Sequence, residues 1–241
     1  MAIEFIDIHS HILPDVDDGC PDVEASVYAL KRMEAMGVSN VFLTPHYCKR
    51  RGYVAPRNRV DAAYELLSEA ASKEGIAVSL HLGTEMEYSQ DGARYIKEGR
   101  VNTMGNTNCL LVEFPPYVST STLKRWVREL LSIGYVPIIA HIERYINVVK
   151  DPECVIELKQ IGALIQVNIR SVCRARFRLR RFLKWLISGR YADFLGGDVH
   201  LAPIEGKEMD KCVSFIRKLS DDDYVSDLLC ENAKKILLRQ G

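Results

Sequence analysis

The sequence predicts an α/β fold organised around a parallel β-sheet, and three observations carry that expectation. Short β-rich apolar runs alternate with amphipathic stretches from end to end of the chain, and strands separated by helices give βαβ units whose strands run parallel. Five of the six histidines fall just after predicted strands, where parallel folds gather their ligand sites. No Gly-x-Gly-x-x-Gly or Gly-x-x-x-x-Gly-Lys-Ser/Thr motif is present, which argues against a dinucleotide- or ATP-binding sheet.

The strand-like runs are Ile3–Ile8, Val41–Leu43, Ala77–Leu82, Leu110–Phe114, Val136–Ala140, Leu164–Val167 and Ala192–Leu195. Helices are expected near residues 22–36, 58–74, 120–133, 152–161, 177–188 and 204–219, with a last one near 224–238. Asp22 is the expected N-cap of the first helix and Gly37 its stop. Roughly six to eight such repeats favour a closed, TIM-like barrel, with an open doubly wound sheet as the alternative. No repeat, low-complexity tract or Pro/Gly/Ser-rich linker divides the 241 residues, so one domain over 1–241 is expected.

Hydrophobic residues make up 47% of the chain and charged residues 27%, enough apolar material for a sizeable core without structural metals or disulfides. Thirty-two Lys and Arg balance thirty-two Asp and Glu, which argues against a surface devoted to nucleic acid. No run approaches ~18 apolar residues, so no membrane span is expected, and the N-terminus lacks the pattern of a signal peptide. The seven cysteines are scattered with no Cys-x-x-Cys pair, which suggests reduced thiols in a cytoplasmic protein of undetermined oligomeric state.

In Asp7-Ile8-His9-Ser10-His11, strand alternation puts Asp7, His9 and His11 on one face. Two imidazoles so spaced can grip one divalent ion, with Asp7 expected to orient a ring. Asp17-Asp18-Gly19 follows, in a form that would ordinarily be turn chemistry. His46 ends the second strand, Glu85 the third, His141 the fifth, and Asp198 and His200 the seventh. Glu113 interrupts the apolar fourth strand, where a carboxylate is costly unless it is paired or coordinates a metal. Glu87 shares a face with Glu85, and spacing alone does not separate them. His81, inside its strand run, reads as a core or wall histidine. Five histidines and at least four carboxylates exceed what one ion needs and suit two or three divalent ions: Mn first, with Fe, Zn or Mg as alternatives.

These motifs, in this order, resemble the PHP (polymerase and histidinol phosphatase) superfamily. Residues 7–19, DIHSHILPDVDDG, are especially similar to the bacterial metal-dependent protein-tyrosine phosphatases of capsule and exopolysaccharide synthesis. Thr44-Pro45-His46, Gly83-Thr84-Glu85, the Glu113 strand, His141-Ile142-Glu143-Arg144, Asp198-Val199-His200 and Glu231-Asn232-Ala233 continue the match over nearly the whole chain. The resemblance implies a distorted (β/α)7 barrel holding three ions. His9, His11, Glu85 and Asp198 would take the first. Glu85, Glu113 and His141 would share the second, and Asp18, His46 and His200 would take the third. It further implies hydrolysis of a phosphotyrosine protein, such as a bacterial tyrosine kinase tail, by a metal-activated hydroxide; the alternative is a small phosphoester such as histidinol phosphate. Arg144 would be the catalytic cation. The arginine usual a few residues after Asp-x-His is missing here, which leaves Arg144, Lys207, Arg50 and Arg51 as substrate-binding candidates.

A cysteine nucleophile of the Cys-x5-Arg type is excluded, because no cysteine has arginine six positions on. Arg170 to Arg190 holds eight basic residues and no acidic one. It reads first as a solvated helix face backed by Phe177, Phe182, Leu183, Trp185 and Leu186. The sharper alternative is a docking surface for an acidic phosphopeptide, a kinase tail or anionic lipid.

Overall fold

The structure, a computed structural model, describes residues 4–238. Ile3, the start of the first expected strand, lies outside the described residues. The strands are β1 (Phe5–Ser10), β2 (Val38–Leu43), β3 (His46–Tyr47), β4 (Ser79–Leu82), β5 (Glu85–Glu87), β6 (Cys109–Glu113), β7 (Val136–Ile139), β8 (Leu164–Asn168) and β9 (Phe194–Gly196). They form two sheets, ordered β1-β2-β4 and β3-β5-β6-β7-β8-β9, in which every ladder is parallel.

The two sheets arise because the chain breaks after the second and third expected strands and resumes as the short β3 and β5. Pro45, lacking an N–H, separates β2 from β3. Beside it Thr44 Oγ1 accepts the Ser10 N–H at 3.0 Å and donates to the Ser10 carbonyl at 3.1 Å. Gly83-Thr84 separates β4 from β5. Backbone hydrogen bonds bridge the breaks, from Gly83 N to Leu43 O (2.9 Å) and from Glu85 N to Pro45 O (3.1 Å). At the other margin His11 N donates to Val199 O (2.7 Å) and Asp198 N to His9 O (2.8 Å), laying the end of β9 against β1. The result is a curled parallel sheet whose carboxyl ends are drawn together.

The helices are α1 (Val23–Glu34), α2 (Arg57–Lys73), α3 (Gly92–Lys97), α4 (Thr120–Ser132), α5 (Ile146–Lys150), α6 (Glu153–Ile161), α7 (Ile169–Arg174), α8 (Phe177–Ser188), α9 (Gly206–Arg217), α10 (Asp222–Ser226) and α11 (Asn232–Leu237). Asp22 caps α1 by accepting from Ala25 N at 2.8 Å, and Gly37, at φ 87°, follows its end. The last expected helix carries a π turn, Asp227–Glu231, between α10 and α11. No helix among the described residues is long and apolar enough to cross a membrane.

The buried faces of the long helices pack on the sheet in one large apolar core, and a smaller cluster of Ile6, Ile8, Phe42, Leu111, Ile138 and Phe194 packs with Ala233 and Ile236 of α11. His81 is half-buried, bonded to Asn40 Oδ1 at 2.9 Å and packed on Phe42. It is the wall residue its strand position suggested.

Candidate metal centre

Nine side chains of ligand type, in or just after six strand segments and in the loop after β1, meet at the carboxyl end of the sheet. His9 is the last residue but one of β1 and His11 follows the strand, and their Nε2 atoms face each other at 3.1 Å. Glu85 Oε2 lies 3.2 Å from both nitrogens, and Asp198 Oδ1 lies 3.6 and 3.5 Å from them. The other Glu85 oxygen is 2.7 Å from His141 Nε2, which lies 3.8 Å from Glu113 Oε2. Asp18 Oδ1 is 3.3 Å from His46 Nε2 and 3.5 Å from His200 Nε2. The His11 ring packs against those of His46 and His200, at 4.1 and 4.2 Å, and those two lie 5.8 Å apart. His9 and His11 are fully buried and Glu85 nearly so, while Asp18 and His200 stand at the open edge.

Local backbone geometry aims two of these groups. His141 (φ 33°) and Asp198 (φ 48°) both adopt left-handed conformations at strand ends. That is unusual for non-glycine residues and concentrated at functional sites. Gly197 is required by close approach: a Cβ there would stand 2.3 Å from Asp7 Oδ2. Gly19 is required likewise, since its Cβ would meet the His11 carbonyl oxygen at 1.7 Å.

The imidazoles are oriented by residues the sequence reading did not select. Asp7 does not orient a ring. Its Oδ1 accepts from the backbone N–H groups of His9 (3.1 Å) and Gly197 (2.8 Å), tying β1 to the end of β9. His11 Nδ1 instead meets Asp17 Oδ2 at 2.9 Å, the same oxygen that accepts from His46 N at 2.8 Å. His9 Nδ1 meets Gln166 Oε1 at 3.2 Å, and that oxygen also accepts from His141 N. Gln166 Nε2 donates to Asn168 Oδ1, and Asn168 Nδ2 donates to Asp198 Oδ2. Two amides on one face of β8 thus tie together three ligand-bearing strand ends. Their signal was present, as Gln and Asn alternating inside the apolar run LIQVN.

Electrostatics mark the cluster as built for cations. Burial pushes the Asp198 carboxyl up, but His9 and His11 overcome it and hold it well below the usual carboxylate range. Glu85 behaves likewise, with burial outweighed by His9, His11, His141 and His46. Burial lowers His11, yet Asp17, Asp198 and Glu85 raise it well above an ordinary histidine. Buried groups are also left unsatisfied: among the described residues Glu85 Oε2 and His141 Nδ1 have no hydrogen-bond partner. Two imidazole nitrogens facing each other across 3.1 Å, with two carboxylates alongside, form a donor set that a divalent ion satisfies. The residues fit the group.

Beside the cluster lies a cavity of about 390 Å³, within the range of small-ligand pockets. Its wall includes Arg50, Arg51, Arg144 and Arg170, together with Phe114 and Tyr145. Arg144 Nη2 bonds Asp198 Oδ2, Arg51 Nη2 bonds Glu113 Oε1 at 2.7 Å, and Arg50 bonds Glu87, which leaves Glu87 outside the cluster's centre. Lys207 does not join this wall. It is exposed in the first turn of α9, whose Glu205–Glu208 capping box fixes that turn. Arg170, passed over as part of the basic run, lines the cavity and donates to the carbonyls of Ala202 and Pro203 in the loop after His200.

A curled parallel sheet with clustered histidines and carboxylates at its carboxyl ends is the framework of a metal-dependent hydrolase of the PHP type. Residues 5–238 match the model of the family described as capsular polysaccharide synthesis, CpsB/CapC, and the chain belongs to that family. It is 26% identical over 239 residues to tyrosine-protein phosphatase CpsB of Streptococcus agalactiae, covering 96% of this chain and 98% of that one. It superposes with a TM-score of 0.86 and 25% identity on a chain from the crystal structures of YwqE from Bacillus subtilis and CpsB from Streptococcus pneumoniae, described as unique metal-dependent tyrosine phosphatases. That match covers 98% of this chain and 95% of the other. Histidinol phosphate phosphatase of Lactococcus lactis shares the fold at 13% identity, with a TM-score of 0.59 over 90% of this chain and 94% of that one.

Proposed function

We propose that this chain is a metal-dependent protein-tyrosine phosphatase acting in capsular or exopolysaccharide synthesis. The observation that carries it is the convergence of nine ligand-type side chains beside a cavity walled by arginines. Family membership and the phosphatase names of full-length relatives agree with it. The chain is read as one domain over 1–241, its strands, with β2–β3 and β4–β5 counted as one each, making the distorted (β/α)7 barrel, in a cytoplasmic enzyme.

His9, His11, Glu85 and Asp198 would hold one ion, and Glu85, Glu113 and His141 a second. Asp18, His46 and His200 would hold a third, with His11 also in reach. Mn²⁺ is the first choice of metal. Such ions supply Lewis acidity and bring the pKa of water down to about 7. The remaining work belongs to the chain's own groups. Arg144, held by Asp198, presents its other N–H groups to the phosphoryl oxygens, and Arg51 and Asn168 face the same space. Phe114, Pro116 and Tyr145 give the aryl ring an apolar wall. A phenolate leaving group has a conjugate-acid pKa of about 10, so no strong general acid is required. The substrate is a phosphotyrosine protein such as the tail of a bacterial tyrosine kinase.

The test is hydrolysis of a phosphotyrosyl peptide against histidinol phosphate, before and after chelation, with Mn²⁺ restored. The peptide should be turned over, the activity lost on chelation and regained with metal. Preference for histidinol phosphate, or activity indifferent to chelation, would overturn the assignment.

A further inference from the structure

Apart from Arg170, the basic run of α7 and α8 takes no part in the site above, and the structure divides it in two. Arg170 and Arg174 pair with Glu208, Arg190 pairs with Asp221, and Arg180 lies over the Phe215 ring at 5.0 Å. These four are spent within the fold. Arg176, Arg178, Arg181 and Lys184 are exposed, and no acidic group among the described residues lies within ion-pair distance of any of them. Arg178, Arg181 and Lys184 form one stripe, since positions three apart on a helix are neighbours, and Arg176 precedes it at the N-cap.

At the head of this strip stands Phe177, 91% exposed. Its backbone is left-handed, at φ 45°, a conformation that costs energy for an aromatic residue. Phe182, Leu183, Leu186 and Ile187 are buried on the opposite face of α8, so the helix is anchored and cannot turn to hide Phe177. The net charge of the whole chain is zero, so the unpaired cations are a local feature.

We propose that the α7–α8 corner is a docking surface for an anionic lipid bilayer. Guanidinium and ammonium groups pair with lipid phosphates, while an aromatic ring flanked by cations enters the boundary between headgroups and acyl chains. An acidic peptide would satisfy the cations but leaves the outward-held Phe177 without a role. The surface is near the cavity. Arg170 lines the cavity wall, and Arg174 follows it by one turn, about 6 Å along the helix. Docking would set the cavity mouth close to the bilayer. The inference does not depend on the reaction catalysed.

The experiment is co-sedimentation of the full chain with vesicles of phosphatidylcholine alone, or with one-third phosphatidylglycerol. The protein should bind only the anionic vesicles and be released at about 0.5 M salt. Joint Arg176→Glu, Arg178→Glu and Arg181→Glu substitution should weaken binding about tenfold or more. Phe177→Ser should weaken it several-fold. Unchanged thermal melting and unchanged metal content would show that the variants are folded. Equal binding by wild type and triple variant overturns the proposal. So does capture of polyglutamate through these same arginines with anionic vesicles left free.

Discussion

The two walls of the site, the ligand cluster and the arginines of the cavity beside it, are built on opposite plans. On one side His9, His11, Glu85 and Asp198 are buried and rigidly placed by strand ends, each held by its neighbours within the protein. On the other, Arg50, Arg51 and Arg144 are one-third to two-thirds exposed, carried on loops and short turns, and each is already paired with a carboxylate. The buried side is defined by convergence and tolerates little change, because each group sits in the field of several others. The arginine side is adaptable, and its members can be lost one at a time at graded cost.

The largest effect should come from the buried side. Glu85 touches His9, His11, His46 and His141, so Glu85→Ala should abolish phosphotyrosyl hydrolysis and bound metal while circular dichroism stays native. Near-normal turnover would break the distinction at once. Arg144→Ala should lower kcat by about 10²–10³ while metal content is retained, as for removal of one donor to transition-state charge. Loss of metal with loss of Arg144 would mean that the two walls are not separable. Gln166→Leu removes the partner of His9 Nδ1 and His141 N. It should cost about 10- to 100-fold in metal affinity, the usual effect of losing a group that orients a ligand, measured by competition with a fluorescent chelator.

What was legible in the sequence follows the same division. Strand alternation and strand-end position pointed to the five histidines and most of the carboxylates, while the choice of Glu85 over Glu87 and of Asp18 over a turn role came from the family resemblance. The strand breaks were less visible, because Thr44 replaces ladder bonds with its own hydroxyl and the sheet continues past Pro45. Asp7 was given a ring to orient because it shares a face with His9, yet backbone N–H groups of β1 and β9 claim it first. Gln166 and Asn168 went unnoticed because amides inside an apolar strand carry no charge to attract attention. Lys207 was favoured by nearness in sequence to His200, but α9 turns it outward, and Arg170 reaches the cavity from a different strand end.

The smallest effects lie away from both walls. Lys207→Ala should leave kcat/KM within about twofold, as expected of an exposed substitution. Burial raises the thiols of Cys154 and Cys230 to about 11, so at pH 8 they remain protonated and unreactive. N-ethylmaleimide on the native protein should therefore spare these two and leave activity intact, as peptide mass mapping beside an activity assay would show. Inactivation that tracks modification of a cysteine would return a thiol to the chemistry.

Anomalous diffraction from crystals soaked in Mn²⁺ tests the central claim most directly. Peaks should appear between His9, His11, Glu85 and Asp198, and beside His141 and His200. Density free of any peak among those side chains, in crystals of protein that hydrolyses phosphotyrosine, would contradict it.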